Sequence, residues 1–412
     1  MVKWKLQMPN DALDTSTPVL VMGGRQNALS IVRSLGKAGV HVSVSLAEGC
    51  CAAESRYCSA SYIYPVDSDL HLFWKKLLLS DQRPLQGAML LTCNDDAIEF
   101  VAENKEALRQ NYVVDENIPE LQQAMLDKQK TLELAREAGC PIPEFWNVST
   151  IDDVADLKDD VTFPVMIKPI HSHIFRRYYV GKKYLLANDY QELFSLVSDV
   201  LSKGVELMVC EMIPGPDTLL SSYYTYIDSN DQSLFHFTKK VIRRYPVNSG
   251  GASYHITEWI PETAEMGERF FRGIDFRGLG NIEFKRDLRD GKLKVIECNA
   301  RFTAAQELLV QSGMDISMTI YRRLSGQSIP KMEGYRDHVR LLEPVTDFKA
   351  YRQLKALGEI TFFGWLKSLM YKQVFSYFRM DDLRPVIVML KSSLSNKLNN
   401  YRSARLRPKN TN

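Results

Sequence analysis

Long apolar runs, paired cysteines and a strong charge of either sign are all missing from this chain. No segment approaches the roughly 18 consecutive apolar residues that would span a bilayer. Met1 to Leu20 is polar and interrupted by Pro9 and Pro18, unlike a secretory leader. The seven cysteines are scattered and include no C-x-x-C pair. That argues against a disulfide framework or a zinc site, and for reduced thiols in a cytoplasmic setting. The net charge is only +2, so no global field favours nucleic acid. No internal repeat is visible, and no Ser/His/Asp or Cys/His signature of an enzyme nucleophile. What is present is 412 residues, 45% hydrophobic and 25% charged. That suffices for two or three domains with ample core.

Residues 18 to 118 alternate strand and helix. Pro18 to Met22 reads as a short apolar strand, Gly23-Gly24 as a turn, and Ala28 to Ala38 as a helix stopped by Gly39. Val40 to Ser45 and Ala88 to Thr92 read as further strands, with a helix from about Asp95 to Leu108. This βαβ pattern predicts a parallel sheet with helices on its faces, a Rossmann-like domain over residues 1–118. Its first turn is not G-x-G-x-x-G, which leaves a dinucleotide-dependent oxidoreductase as a weak reading. The turn at Gly23 to Asn27 and the strand end at Thr92 to Asp96 are places where ligands of open α/β sheets collect. Asn94 or Asp95 also serves there simply as a helix cap.

The densest chemistry lies further on. Asn281-Ile282-Glu283-Phe284 and Val295-Ile296-Glu297-Cys298-Asn299-Ala300-Arg301 read as two strands joined by a polar hairpin. Asn299 lies two residues after Glu297, so both side chains point to one face of a strand. Two carboxylates and an amide form an oxygen-rich set suited to Mg²⁺, with Mn²⁺ fitting the same donors. Arg301 adds a fixed cation beside them. Upstream, Lys128 stands at the centre of a helical stretch, 119–138, and Lys168 closes the strand Phe163 to Pro169. Glu211 ends the apolar strand Leu207 to Ile213, ahead of Pro214-Gly215-Pro216-Asp217. Lys240, Arg243 and Arg244 share the strand after the turn at Ser229 to Asp231.

Taken in order, these segments resemble the ATP-grasp superfamily of carboxylate–amine ligases over about residues 20 to 320. The resemblance implies an ATP-grasp domain over 119–330, built of two α+β subdomains that clamp ATP. It implies phosphate neutralisation by Lys128, Lys168 and Lys240, and adenine contacts at Glu211 and Ile213. Asp217 would meet the ribose. Glu283, Glu297 and Asn299 would hold two Mg²⁺ ions. Lys240, Arg301 and Asn299 would serve the chemistry, and Arg243, Arg244 and Arg301 the substrate carboxylate. The implied reaction joins a small-molecule carboxylate, an amino acid or sugar acid, to an amine through an acyl phosphate. Two departures stand out. The lid segment His171 to Lys183 carries one glycine, Gly181, where the family is usually glycine-rich, and this keeps a non-catalytic ATP-binding regulator open. Ala305 stands where biotin carboxylases place a glutamate base, which favours amide formation in the style of D-aspartate ligase. His171 and His173 read as polar lid residues, with Arg176 and Lys182 beside them.

Residues 331–412 change character. Phe362, Phe363, Trp365 and Phe378 stand in one stretch with Lys367 and Lys372, and the chain after Asp382 holds seven Lys or Arg and no acid. The expectation is a helical appendage with a basic tail, open to a peripheral membrane or protein contact. A homo-oligomer is equally open.

Overall fold

The computed structural model describes residues 5–7, 11–158, 160–170, 175, 178–179 and 182–391. His171, His173, Arg176, Arg177 and Gly181 of the expected lid lie outside these residues, as does the tail 392–412. The chain divides into two units. The first draws on Met1–Asp115, Arg301–Glu343 and Lys372–Asn412, the second on Glu116–Ala300 and Pro344–Tyr371.

In the first unit, strand β1 (Lys5–Gln7) pairs antiparallel with Lys331–Glu333. Strands β2 (Val19–Met22), β3 (Val42–Ala47), β4 (Ala60–Tyr64) and β5 (Met89–Thr92) form a parallel sheet in the order β4-β3-β2-β5. Every residue of β2 is buried, as expected of a strand covered on both faces. Helices α1 (Gln26–Lys37), α2 (Leu70–Leu79) and α3 (Asp95–Glu103) connect the strands. The carboxylate of Asp69 caps α2 and the amide oxygen of Asn94 caps α3. The helix expected from Asp95 to Leu108 breaks at Asn104, and a second short helix, Lys105–Arg109, follows. Because β3 and β5 flank β2 on opposite sides, the carboxyl ends of β2 and β5 form a topological switch point.

The second unit holds two antiparallel sheets. Strands β6 (Phe145–Val148), β7 (Val165–Pro169), β8 (Leu185–Ala187) and β9 (Leu207–Glu211) are ordered β6-β9-β7-β8. The helix Tyr190–Ser202 covers one face, burying Leu193 and Val197 with Val165 and Ile167. The larger sheet runs β14-β13-β10-β11-β12, with β10 (Leu220–Ile227), β11 (Ser233–Tyr245), β12 (Gly251–Thr257), β13 (Gly278–Arg286) and β14 (Leu293–Asn299). The helix Pro261–Gly273 lies on one face of it. There Thr263 Oγ1 meets Ser221 Oγ at 2.8 Å. Gly267 is required at this contact, since a Cβ would come within 2.3 Å of the Tyr223 ring. The single helix expected over 119–138 is two, Pro119–Leu126 and Lys128–Glu137. Asp127 between them is extended, and its carboxylate accepts from the N–H groups of Gln129 and Lys130.

Residues 331–391 divide between the two units. Pro344–Tyr371 belongs to the second unit, where Asp347 accepts two hydrogen bonds from Arg243. Lys372 onward belongs to the first unit. There the fully buried Arg33 donates to Asp382 Oδ2 at 2.9 Å and to the carbonyls of Ser376, Tyr377 and Asp382. Ser55 Oγ also donates to Asp382, at 2.7 Å. Removing either partner leaves a buried charge unanswered. Arg33→Ala or Asp382→Ala is therefore expected to lower unfolding free energy by about 3–5 kcal/mol, read from urea denaturation. Lys37→Ala, which removes the exposed pair with Asp381, is expected to have little effect.

Candidate active site

Register decides which side chains of the large sheet meet. Glu297 pairs with Glu283, Glu283 with Ser222, Ser222 with Lys239, and Lys239 with Thr257. Directly paired residues share a face, so these five form one row across five strands. Two residues along, Asn299, Asn281, Tyr224 and Phe237 form the next row on that face. Glu283, Glu297 and Asn299, the residues expected to hold metal, are thus brought together, and Asn299 Nδ2 lies 3.4 Å from Glu297 Oε1.

The sequence reading of the strand lysines needs correction. Lys240 pairs with Ser221 and Ile256, on the face that carries the helix Pro261–Gly273. Its neighbour Lys239 faces the carboxylates, with Nζ 3.9 Å from Glu283 Oε1 and almost no solvent exposure. Alternation along a strand makes the two lysines mutually exclusive candidates. Burial pulls the Lys239 ammonium below the ordinary lysine pKa, and Glu283 and Glu297 oppose this. Burial raises the Glu283 carboxyl, Lys239 lowers it, and Glu297 raises it again.

Among the described residues, no group of three or more His, Cys, Asp or Glu side chains is placed to hold a metal ion. The donors here are two carboxylates and an amide, which fit a hard cation that shares its remaining positions with phosphate and water. Asn281 supports that fit. It is fully buried on the same face, paired with Asn299, and its Oδ1 has no hydrogen-bond partner.

Lys128, Lys168 and Glu211, expected on the ATP side, also lie in the second unit. Lys128 opens its helix, and its Nζ lies 3.4 Å from the carbonyl oxygen of Pro169. It therefore sits at the same corner as Lys168, which is half-buried near the end of β7. The Glu211 carboxylate is engaged by Arg289 Nη2 at 2.6 Å and Lys294 Nζ at 3.5 Å. Both cations also bind the fully buried Asp287. Lys285 Nζ donates to the carbonyls of Ile213 (2.9 Å) and Gly215 (2.8 Å), tying the large sheet to the segment after β9. Burial pushes the Lys285 pKa down to about 8. Lys239, Lys285, Asp287, Arg289 and Lys294 were missing from the motif reading. The signal for Lys285, Asp287, Arg289 and Lys294 is the concentration of charge in the polar hairpin, and for Lys239 only its place beside Lys240.

Two substrate candidates are already paired. Arg243 is buried and holds Asp347 through both Nε and Nη2, so it is a structural cation. Arg244 Nε donates to Asp217 at 2.6 Å, and Asn248 N donates to the same carboxylate. The Asp217 carboxylate, read as a ribose acceptor, thus answers these two groups.

Arg301 belongs to the first unit. Its Nε donates to Asp95 Oδ1 at 2.7 Å, in the first turn of α3. It stands by the switch point: Asn27 Nδ2 donates to the carbonyls of Cys93 (2.8 Å) and Phe302 (2.9 Å). Gly23 at this point has φ +71°, and a Cβ on it would meet Asn94 Oδ1 at 2.1 Å. Asn94 there acts as the helix cap that the sequence allowed.

Hydrogen bonds from Arg289, helped by Lys294, hold Asp287 well below the ordinary carboxylate range, against the opposing effect of burial. A depressed pKa gives stability that is fully present above the unfolded value, about 3.9. That stability is lost as pH falls through the folded value. Asp287→Asn is expected to melt below the wild type at neutral pH. The gap is expected to narrow below about pH 4, as followed by thermal melts across a pH series.

No family model matches the chain. It is 20% identical over 312 residues to D-aspartate ligase of Enterococcus faecium (strain Aus0004), covering 72% of this chain and 74% of that one. Its fold is similar to that of an N5-carboxyaminoimidazole ribonucleotide synthetase solved with ADP, with a TM-score of 0.61 and 11% identity, covering 81% of this chain and 82% of the other. It is also similar to an L-amino acid ligase from Bacillus licheniformis, with a TM-score of 0.56 and 17% identity, covering 76% and 75%. The chain is thus similar in sequence to a D-aspartate ligase and shares the fold of these two solved enzymes.

Proposed function

We propose that this enzyme joins a carboxylate to an amine at the expense of ATP, through an acyl phosphate. One observation carries the reading: Glu297, Glu283, Ser222 and Lys239 share one row and one face of the large sheet. The substrate carboxylate would be an amino acid, the class named for the related D-aspartate ligase and L-amino acid ligase, or a sugar acid. In the first step a carboxylate oxygen attacks the γ-phosphorus, and the bond to the β,γ-bridging oxygen breaks to release ADP. In the second the amine attacks the acyl carbon and inorganic phosphate leaves, giving an amide. No enzyme nucleophile is needed, because positioning and charge supply the rate.

Lys128 and Lys168 would neutralise ATP phosphates as compact point charges. The backbone at Glu211 to Ile213 would meet adenine, since the Glu211 carboxylate already answers Arg289 and Lys294. Glu283, Glu297 and Asn299 would hold two Mg²⁺ ions, whose chemistry is neutralisation of phosphate charge. Lys239 takes the place expected of Lys240, setting a buried ammonium where charge grows during transfer. Arg301, oriented by Asp95, would receive the substrate carboxylate.

The test is a phosphate-release screen of paired acids and amines with Mg-ATP. ADP formation that requires both an acid and an amine is expected. ATP binding without turnover on any pair would instead assign a regulator. Glu297→Gln should cut Mg²⁺-dependent ADP formation by on the order of 10²–10³ with the fold intact; full activity would remove this site. Lys239→Met is expected to cost about 10² in kcat, and Lys240→Met far less.

A further inference from the structure

His255 is a buried histidine to which the reaction above gives no part. It lies on β12 and pairs with Val241, while Thr257, two residues on, pairs with Lys239. Lys239 and His255 are therefore diagonal neighbours on the face that carries Glu283 and Glu297. They are 2% and 5% exposed. The imidazole is tied at one end, where Nε2 lies 3.0 Å from the carbonyl oxygen of Ala252. A carbonyl only accepts, so Nε2 carries the proton. Burial first, and the Lys239 charge second, push the ring pKa down to about 3. The ring is thus neutral at ordinary pH, and Nδ1 presents a bare lone pair. That atom is buried and has no hydrogen-bond partner, which is rare for an acceptor inside a protein.

The donor on the same face is Lys239, and it is held loosely. Its Nζ stands 3.9 Å from Glu283 Oε1, beyond hydrogen-bond length. The Tyr224 ring, with its centroid 6.0 Å away, adds only a weak attraction. Glu283 is also the proposed ligand of Mg²⁺. An ammonium that leaned on Glu283 alone would lose its hold once that carboxylate served a divalent cation, because like charges repel. It then needs an acceptor that is neutral and already in place.

We infer that His255 is a positioning residue, whose Nδ1 accepts from the Lys239 ammonium in the loaded site and holds it toward the phosphoryl group. This rests on the ligase reading above. A neutral acceptor suits the role, since it fixes the direction of the ammonium without cancelling its charge, as a further carboxylate would. The tether to Ala252 holds the far end of the ring, so the acceptor is fixed in advance.

Two amides separate the ring nitrogens, because Asn places polar atoms near the position of Nδ1 and Gln near that of Nε2. His255→Gln keeps the tether to Ala252 and loses the acceptor. It is expected to lower kcat by on the order of tenfold to a hundredfold, with KM for ATP little changed. His255→Asn keeps the acceptor and loses the tether. It is expected to hold kcat several-fold above that of His255→Gln while melting at a lower temperature. The reverse order of kcat would make His255 a purely structural residue and overturn the inference. A second readout needs no turnover. NMR of the full chain with isotope-labelled histidine, assigned through His255→Gln, follows Nδ1 directly. On addition of Mg-ADP its resonance is expected to move from the bare to the hydrogen-bonded position, and not to move in Lys239→Met. Mg-ADP that binds by calorimetry without moving Nδ1, or that moves it equally in Lys239→Met, overturns the inference alone. Failure of Mg-ADP to bind overturns the ligase reading, and this inference with it.

Discussion

The site rests on strand register. In an antiparallel sheet a slip of one residue exchanges every side chain between faces. The pairing of Ser222 with both Lys239 and Glu283 aligns a buried cation with two carboxylates. One irregularity completes the arrangement. Between Glu283 and Phe284 the register shifts: Glu297 faces Glu283, Val295 faces Phe284, and Ile296 is the extra residue. Glu297 and Lys294 are three residues apart and would point to opposite faces of a regular strand. The bulge returns Lys294 to the face of Glu283 and Lys285. Lys294 is then able to reach Asp287 and Glu211.

Charge pairing organises the surroundings of that face. Glu211, Asp287, Arg289 and Lys294 form a connected ionic group between the end of β9 and the hairpin. Lys285 adds two hydrogen bonds to backbone carbonyls on the same side. Buried ion pairs add little net stability compared with apolar packing, but breaking one is costly. They suit places where distant segments must meet in one arrangement. Arg243 with Asp347 and Arg33 with Asp382 do this for two parts of the C-terminal region. Each pair fixes its segment to a different unit.

Much of this was legible beforehand. The parallel sheet of the first unit follows from short apolar runs alternating with amphipathic stretches, and β2, β3 and β5 stand out for that reason. Strand β4 and helix α2 did not, because β4 is largely exposed at the sheet edge and α2 buries only Trp74 and Leu78. Asp127 was legible as an acid but not as the cap that splits one helix into two. Glu283, Glu297 and Asn299 were legible because their spacing and apolar frame are local properties of the chain.

The sequence by itself determined the local periods, the caps and the order of Lys128, Lys168, Glu211, Glu283, Glu297 and Asn299. These depend on residues a few positions apart. It could not choose between Lys239 and Lys240, because adjacent strand residues differ only in face and the face is set by pairing with β10. Nor could it show that Arg243 is answered by Asp347, 104 residues away, rather than by a substrate. Only the tertiary structure decided those contacts. The partner of a charge is a matter of distance in space, and a chain of this length brings together groups that no local pattern connects.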